Sequence, residues 1–298
     1  MTIRFLQCGE QEPKHELCLA VCTRDPMTPT AQRTFRNLLA QSWPSNSALL
    51  IVINNFETES LSGIVPNDFE RHLIPVYVAF EEKTGFASVR NCALNWSKGC
   101  RNILFLDDDT VVESDWLMRL WLESRTYPSQ IIGSLHTRVE AVPTEQLAID
   151  SLADSIRDTR LPTLSGTNGL LLPLSVVGDK RFDESFNASG GEDTEFLLRL
   201  AHFGHHERTV RCIAVEQDRM LSKDWMTDAR ASFKQGQLWI AINKHLGLPT
   251  LSLRLRAFIG LLPAGLLLAI NTCRSRISRR RKLRVVAVRL GVVRGNSV

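Results

Sequence analysis

Short unbroken apolar runs alternate along the chain with amphipathic stretches, and this rhythm predicts its elements. Residues 17–22, 49–53 and 76–80 are apolar throughout, as strands buried on both faces of a parallel sheet must be. Between the first two, Ala31, Phe35, Leu38 and Leu39 recur at helical spacing within residues 30–41, and Pro44 closes the segment. A second helix is predicted through about residue 98, with Phe86, Val89, Ala93 and Trp96 marking one face. The next apolar run, residues 103–106, ends abruptly in Asp107-Asp108-Asp109. Glu113-Ser114-Asp115 then caps an amphipathic helix carrying Trp116, Leu117, Leu120 and Trp121. Further on, the pattern predicts strands at 131–142, 169–172 and 210–215, and helices at 145–157 and 194–203. The order strand, helix, strand, strand, helix, strand begins a doubly wound α/β fold, whose ligands bind at the carboxyl ends of the strands.

Three adjacent acids at such an end require an explanation. Neighbouring carboxylates repel, and burying one without a partner costs several kcal/mol, so the cluster is expected to face a cation, with Mg2+ as the natural guest. The bland alternative is an acidic turn, since Asp also favours turns. A second constellation, Gly190-Gly191-Glu192-Asp193, opens the helix whose Phe196, Leu197, Leu200 and Phe203 face inward. Acids at a helix start are stabilised by the dipole and the unpaired N–H groups. The paired glycines add something capping does not need, a backbone able to approach a ligand closely.

Charge and cysteines narrow the class. The net +4 hides eleven Lys and Arg between Arg254 and Arg294, where no acid occurs; without them the rest carries −7. An acidic body with a basic end argues against a nucleic-acid binder. The 298 residues suggest one main domain plus an appendage. The seven cysteines, at 8, 18, 22, 92, 100, 212 and 273, form no CxxC pair, and several sit in apolar runs, as in a reduced compartment. Residues 1–10 have neither a long apolar core nor a small-residue cleavage site, which predicts no signal peptide and a cytoplasmic location.

Thr23-Arg24-Asp25 after the first strand, residues 85–91 before the acidic strand, Phe105-Leu106-Asp107-Asp108-Asp109, and Arg181-Phe182-Asp183-Glu184 ahead of Gly191-Glu192-Asp193 together resemble family 2 glycosyltransferases. The resemblance spans residues 17–236 and rests on the order and spacing of the motifs. Val215-Glu216, Arg219, Ser222, Trp225 and residues 230–236 are also similar to the succinoglycan-type exopolysaccharide branch. It implies a GT-A fold, a Rossmann-like, mainly parallel sheet flanked by helices. The implied activity is inverting transfer of a sugar from a nucleotide diphosphate to a hydroxyl of a lipid-linked saccharide in surface polysaccharide synthesis.

By this resemblance Asp109, with help from Asp107, ligates Mg2+ or Mn2+, and Asp193 is the base. Thr23, Arg24, Asn54, Arg90, Asn91, Asp107 and Asp108 bind the nucleotide-sugar, while Glu192 and Trp225 hold the acceptor. A UDP-sugar is the favoured donor, although many relatives carry Asp where this chain has Asn54-Asn55; an Asn carbonyl can accept the same uracil N–H. His136, His202, His205 and His206 show no metal-ligand spacing, and some relatives place a His near the position of Gln217.

Residues 1–236 are expected to form the catalytic domain and residues 237–298 a helical, membrane-associating segment. In the latter, the Pro263-interrupted apolar run 257–270 is too short for a confident membrane span and is followed by Arg274, Arg276, Arg279-Arg280-Arg281-Lys282 and Arg284. That combination suits peripheral attachment to an anionic inner leaflet, with a packed helix and a solvated basic end as the alternative. A dehalogenase-type phosphatase is a rival that Val111, which stands where that motif needs Thr, argues against. The remaining rival is a non-catalytic, membrane-associated assembly protein of the same fold.

Overall fold

The computed structural model describes residues 3–5, 14–54, 74–139, 141–157, 166–217, 225–251, 286–288, 290 and 292. Its strands are β1 (Ile3–Phe5), β2 (Leu17–Thr23), β3 (Ser47–Asn54), β4 (Val76–Glu81), β5 (Asn102–Asp107), β6 (Thr110–Val112), β7 (Ile131–Val139), β8 (Leu170–Pro173) and β9 (Glu207–Gln217). The helices are α1 (Pro29–Leu39), α2 (Phe86–Trp96), α3 (Trp116–Thr126), α4 (Gln146–Arg157), α5 (Leu174–Val177), α6 (Glu192–His202) and α7 (Trp225–His245), with a 3-10 turn at Glu184–Phe186. Two compact units divide the chain, Met1–Gln217 and Asp218–Val298; the second contains α7.

The first unit is built on one mixed sheet in the order β1-β4-β3-β2-β5-β8-β7-β9-β6. β1 to β5 are mutually parallel, which is why β2 and β3 read as continuous apolar runs: both faces are covered. β8 then runs antiparallel between β5 and β7, and β6 pairs antiparallel with β9. One apolar layer gathers Phe35, Leu38, Trp116 and Leu120 of α1 and α3 beneath one face. The other gathers Val89, Ala93, Phe196 and Leu200 of α2 and α6 beneath the opposite face. Each large side chain fully buried there contributes about 1.5–3 kcal/mol, so the sheet is a rigid platform for whatever stands on its strand ends.

Most predicted elements are present, with four differences. The acidic strand stops at Asp107, and residues 110–112 form a separate strand on β9 because Asp108 and Asp109 turn the chain. The strand from Ile131 ends at Val139 instead of residue 142. Phe203, expected to face inward, and Phe86, expected to share a face with the buried Val89 and Ala93, are both 59% exposed. Phe86 is the first residue of α2 and Phe203 the C-cap of α6, so both stand past the turns that pack on the sheet. The apolar run 257–270 and the basic cluster 274–284 lie outside the described residues. No helix among the described residues is long and apolar enough to cross a membrane.

Far along β9 from its carboxyl end, Glu207 buries both carboxylate oxygens without a hydrogen-bond partner among the described residues, against Gly133 of β7. Burial pushes its pKa up from 4.5 to about 7. A raised carboxyl favours the folded state while it stays protonated, so this stability is present below about pH 4.5 and lost as pH rises through 7. The wild type should lose about 2–3 kcal/mol between pH 5 and 8 that Glu207→Gln does not lose. Urea unfolding at both pH values checks this, and parallel losses in the two proteins would refute it.

Candidate active site

The carboxyl ends of β2 and β5 lie side by side, Cys22 opposite Asp107, and the acids emerge there. Thr23 Oγ1 donates to Asp108 Oδ2 at 2.6 Å, and Thr34 Oγ1 of α1 donates to the Asp108 carbonyl at 2.9 Å. Asp108 is thereby fastened to the first strand and helix. The Asp109 carbonyl accepts from the Gln217 N–H at 3.2 Å, at the end of β9. Arg33 of α1 donates to Gln217 Oε1 at 2.9 Å; burial lowers its pKa, and the Asp109 charge opposes that shift.

The Asp107 side chain is 37% exposed. Burial raises its pKa, with Glu216 and Asp108 adding to the rise and Arg90 opposing it. A carboxylate held in that state is one a cation would relieve. Its backbone N–H donates to Asn168 Oδ1 at 3.1 Å. The Asn168 amide donates to Thr110 Oγ1 at 2.8 Å and to Glu216 Oε2 at 3.4 Å. Glu216 lies 2.8 Å from His136 Nε2 and 3.1 Å from Arg138 Nε; against its burial, these two hold its pKa below the usual range.

The second acidic group arrives on α6. Gly190 and Gly191 adopt φ of +74° and +89°, a left-handed pair that side chains resist, so the glycines bend the chain into the helix. The helix is seated by aromatics: Phe196 stacks on Phe182 at 4.2 Å, and Phe182 meets Phe105 of β5 edge-on at 6.0 Å. Asp193 Oδ1 accepts from the Thr194 N–H at 2.6 Å, and Oδ2 stands against Gly166.

Arg90 of α2 joins the two groups. Its guanidinium pairs with Glu192 Oε1 and lies 3.5 Å from Asp107 Oδ1, with Phe86 and Phe182 at 5.7 and 6.0 Å. Against its burial, the charges of Glu192, Asp107 and Asp193 raise the Arg90 pKa. Burial raises that of Glu192, which Arg90 opposes, and Glu192 Oε2 is buried with no partner among the described residues.

The structure thus brings Arg90, Asp107 and Glu192 into one contact network, to which Asp193 contributes charge, and ties Thr23 to Asp108 at the same strand end, next to Asp109. Arg24 is exposed beside Thr23. Asn54 and Asn91 turn inward. The Asn54 amide donates to the carbonyls of Glu81 and Lys83 and its Oδ1 accepts from Gly85 N–H; Asn91 bonds the Phe182 backbone in both directions. Trp225 opens α7, and its side chain lies outside the described residues. Sequence reasoning missed Arg33, Gly166 and Asn168; the run Gly166-Thr167-Asn168-Gly169 reads locally as an ordinary turn.

A mixed sheet with a parallel half ending in acids, followed by a second acid pair at a helix start, is an architecture similar to the GT-A fold. The family model for glycosyl transferase family 2 matches residues 18–169. The chain belongs to that family. It is 26% identical over 189 residues to the succinoglycan biosynthesis protein ExoM of Rhizobium meliloti (strain 1021), a match covering 61% of this chain and 60% of that protein. The fold is shared with the mannosyltransferase PcManGT of Pyrobaculum calidifontis, solved with GDP-Man and Mn2+ (TM-score 0.60, 15% identity, 93% and 87% of the chains covered). It is shared too with S. aureus TarS 1-349, solved with UDP-GlcNAc (TM-score 0.51, 15% identity, 92% and 89% covered).

Proposed function

We propose that this chain is an inverting glycosyltransferase that moves a sugar from a nucleotide diphosphate, preferably UDP, to a hydroxyl of a lipid-linked saccharide. The reading extends to surface polysaccharide synthesis, which the succinoglycan relative supports, at the cytoplasmic face of the membrane. Catalysis is assigned to residues 1–236 and membrane attachment to the basic segment 237–298. One observation carries the proposal: Arg90 ties the strand-end Asp107 to Glu192, the neighbour of Asp193, so the two acidic motifs meet at one guanidinium.

The donor set fits a divalent ion. Among the described residues no cluster of three or more His, Cys, Asp or Glu could hold a metal alone. Mg2+ and Mn2+ at nucleotide sites need only one or two carboxylates, the substrate's phosphates and water supplying the rest. Asp107 and Asp109 are the residues that would hold it. Bound there, such an ion would offset the charge growing on the leaving diphosphate.

The chain's own groups do the remainder. Thr23, Arg24 and Asp108 are assigned to the nucleotide end of the site, with Asp108 preset by Thr23. Asn54 and Asn91 shape that end by bracing backbone. Arg90 balances the acids and orients Asp107. Asp193 takes the proton of the attacking hydroxyl as that hydroxyl becomes acidic in the transition state, so its placement matters more than its basicity. Glu192 and Trp225 are assigned to the acceptor side.

Thermal-shift measurements with UDP, GDP, CDP and dTDP, with and without Mn2+, test the donor half. UDP with Mn2+ at about 100 times its Kd should add about 2.7 kcal/mol of stability, read as a rise in Tm of about 5 °C or more. Asp109→Ala should lose the Mn2+-dependent part. Indifference to all four nucleotides, or an unchanged Mn2+ effect in Asp109→Ala, would remove this reading.

A further inference from the structure

One short loop touches both acidic groups. Residues 166–169 lead into β8, which lies between β5 and β7. Asn168 accepts from the Asp107 backbone N–H at 3.1 Å and ties that contact to Thr110 Oγ1 at 2.8 Å and Glu216 Oε2 at 3.4 Å. The Gly169 N–H donates to the Phe105 carbonyl at 2.9 Å, two residues before Asp107, and its φ of +84° is a left-handed conformation. The far end of the loop carries no side chain: a Cβ on Gly166 would collide with Asp193 Oδ2. What its glycine provides is room for the carboxylate.

We infer that the Gly166-Thr167-Asn168-Gly169 loop is a spacer that sets the position of Asp193 relative to Asp107, with Asn168 positioning the strand-end acid and Gly166 positioning the helix-start acid. This rests on the assignment of Asp193 as base and of Asp107 to the donor end. The separation between them decides whether an acceptor hydroxyl lines up opposite the departing diphosphate, and small misplacements of reacting groups have large effects on rate. A two-ended spacer predicts two separable defects. Gly166→Ala displaces only the Asp193 carboxylate. Asn168→Ala removes the acceptor for the Asp107 N–H and loosens only the donor end.

The experiment measures three quantities on the full chain for Gly166→Ala, Asn168→Ala and Asp193→Asn: affinity for UDP in Mn2+ by calorimetry, kcat and donor KM for transfer, and Tm. Gly166→Ala should lower kcat about 30-fold or more with UDP–Mn2+ affinity within about twofold of wild type. Asn168→Ala should weaken UDP–Mn2+ binding about tenfold. A loop that merely supports the fold would lower Tm and damage both functions together in both variants, and that result, or no effect in either, overturns the spacer. Loss of transfer in Asp193→Asn with normal transfer in Gly166→Ala would defeat the spacer and leave the base standing. Normal transfer in Asp193→Asn would defeat the base, while the Asn168 arm still decides the donor end. Should Asn168→Ala fail to fold, Asn168→Ser, which keeps a hydroxyl acceptor, replaces it and should show a smaller loss of UDP–Mn2+ affinity than tenfold; full wild-type affinity in it counts against the spacer.

Discussion

Asp193→Asn should lower transfer by about 100- to 10,000-fold, the usual contribution of a positioned general base, and leave UDP–Mn2+ binding within about twofold. The substitution is well suited to the question because the local structure tolerates it. Asp193 Oδ1 accepts from the Thr194 N–H at 2.6 Å, and the carbonyl oxygen of Asn can accept the same bond, so the first turn of α6 keeps its contact. The lost quantity is the ability of the second oxygen to take a proton. Asp193→Glu should fail nearly as badly for another reason. The longer side chain keeps the carboxylate but carries it past the place beside Gly166 where Oδ2 now stands. If Asn and Glu both retain more than about a tenth of wild-type kcat, the base lies elsewhere and the proposed mechanism fails.

Much of this architecture could be read from the chain, because its strongest signals are local. Continuous apolar runs such as residues 17–22 and 49–53 have no stable place but a sheet covered on both faces, and both are central parallel strands. Acids ending one such run, or opening a helix after two glycines, are conspicuous since each demands compensation nearby. What escaped was information held between elements. Nothing near residues 170–173 says that they insert antiparallel between β5 and β7, because a four-residue apolar run fits either direction. The carboxamides are the sharper case. Asn54, Asn91 and Asn168 look alike in the sequence, yet the first two brace backbone and the third holds the backbone of Asp107. An amide is donor and acceptor at once, so its use depends on neighbours that only the fold supplies. Phe86 was misplaced by periodicity for a related reason: helical spacing gives a direction around the axis and does not say where the sheet beneath ends.

Arg90 carries the largest expected effect on stability. Its side chain is 8% exposed and that of its partner Glu192 4%, and the same guanidinium reaches Asp107. Replacing one member of a buried pair leaves the other as an uncompensated charge, at a cost of about 3–5 kcal/mol, whereas replacing both with apolar groups of similar volume is often nearly neutral. Arg90→Met should therefore destabilise the fold by about 3–5 kcal/mol in urea unfolding, and Arg90→Met combined with Glu192→Leu should recover most of the loss. Arg90→Lys should fall in between. A single ammonium lacks the planar fork that lets Arg90 address Glu192 and Asp107 together and lie near the rings of Phe86 and Phe182. The double variant separates the two parts of the residue's work. Its stability restored, it should still transfer sugar far more slowly than wild type, because the tie between strand end and helix start is gone. A double variant both stable and fully active would mean that Arg90 serves the fold alone, and a single variant as stable as wild type would mean that Glu192 finds another partner.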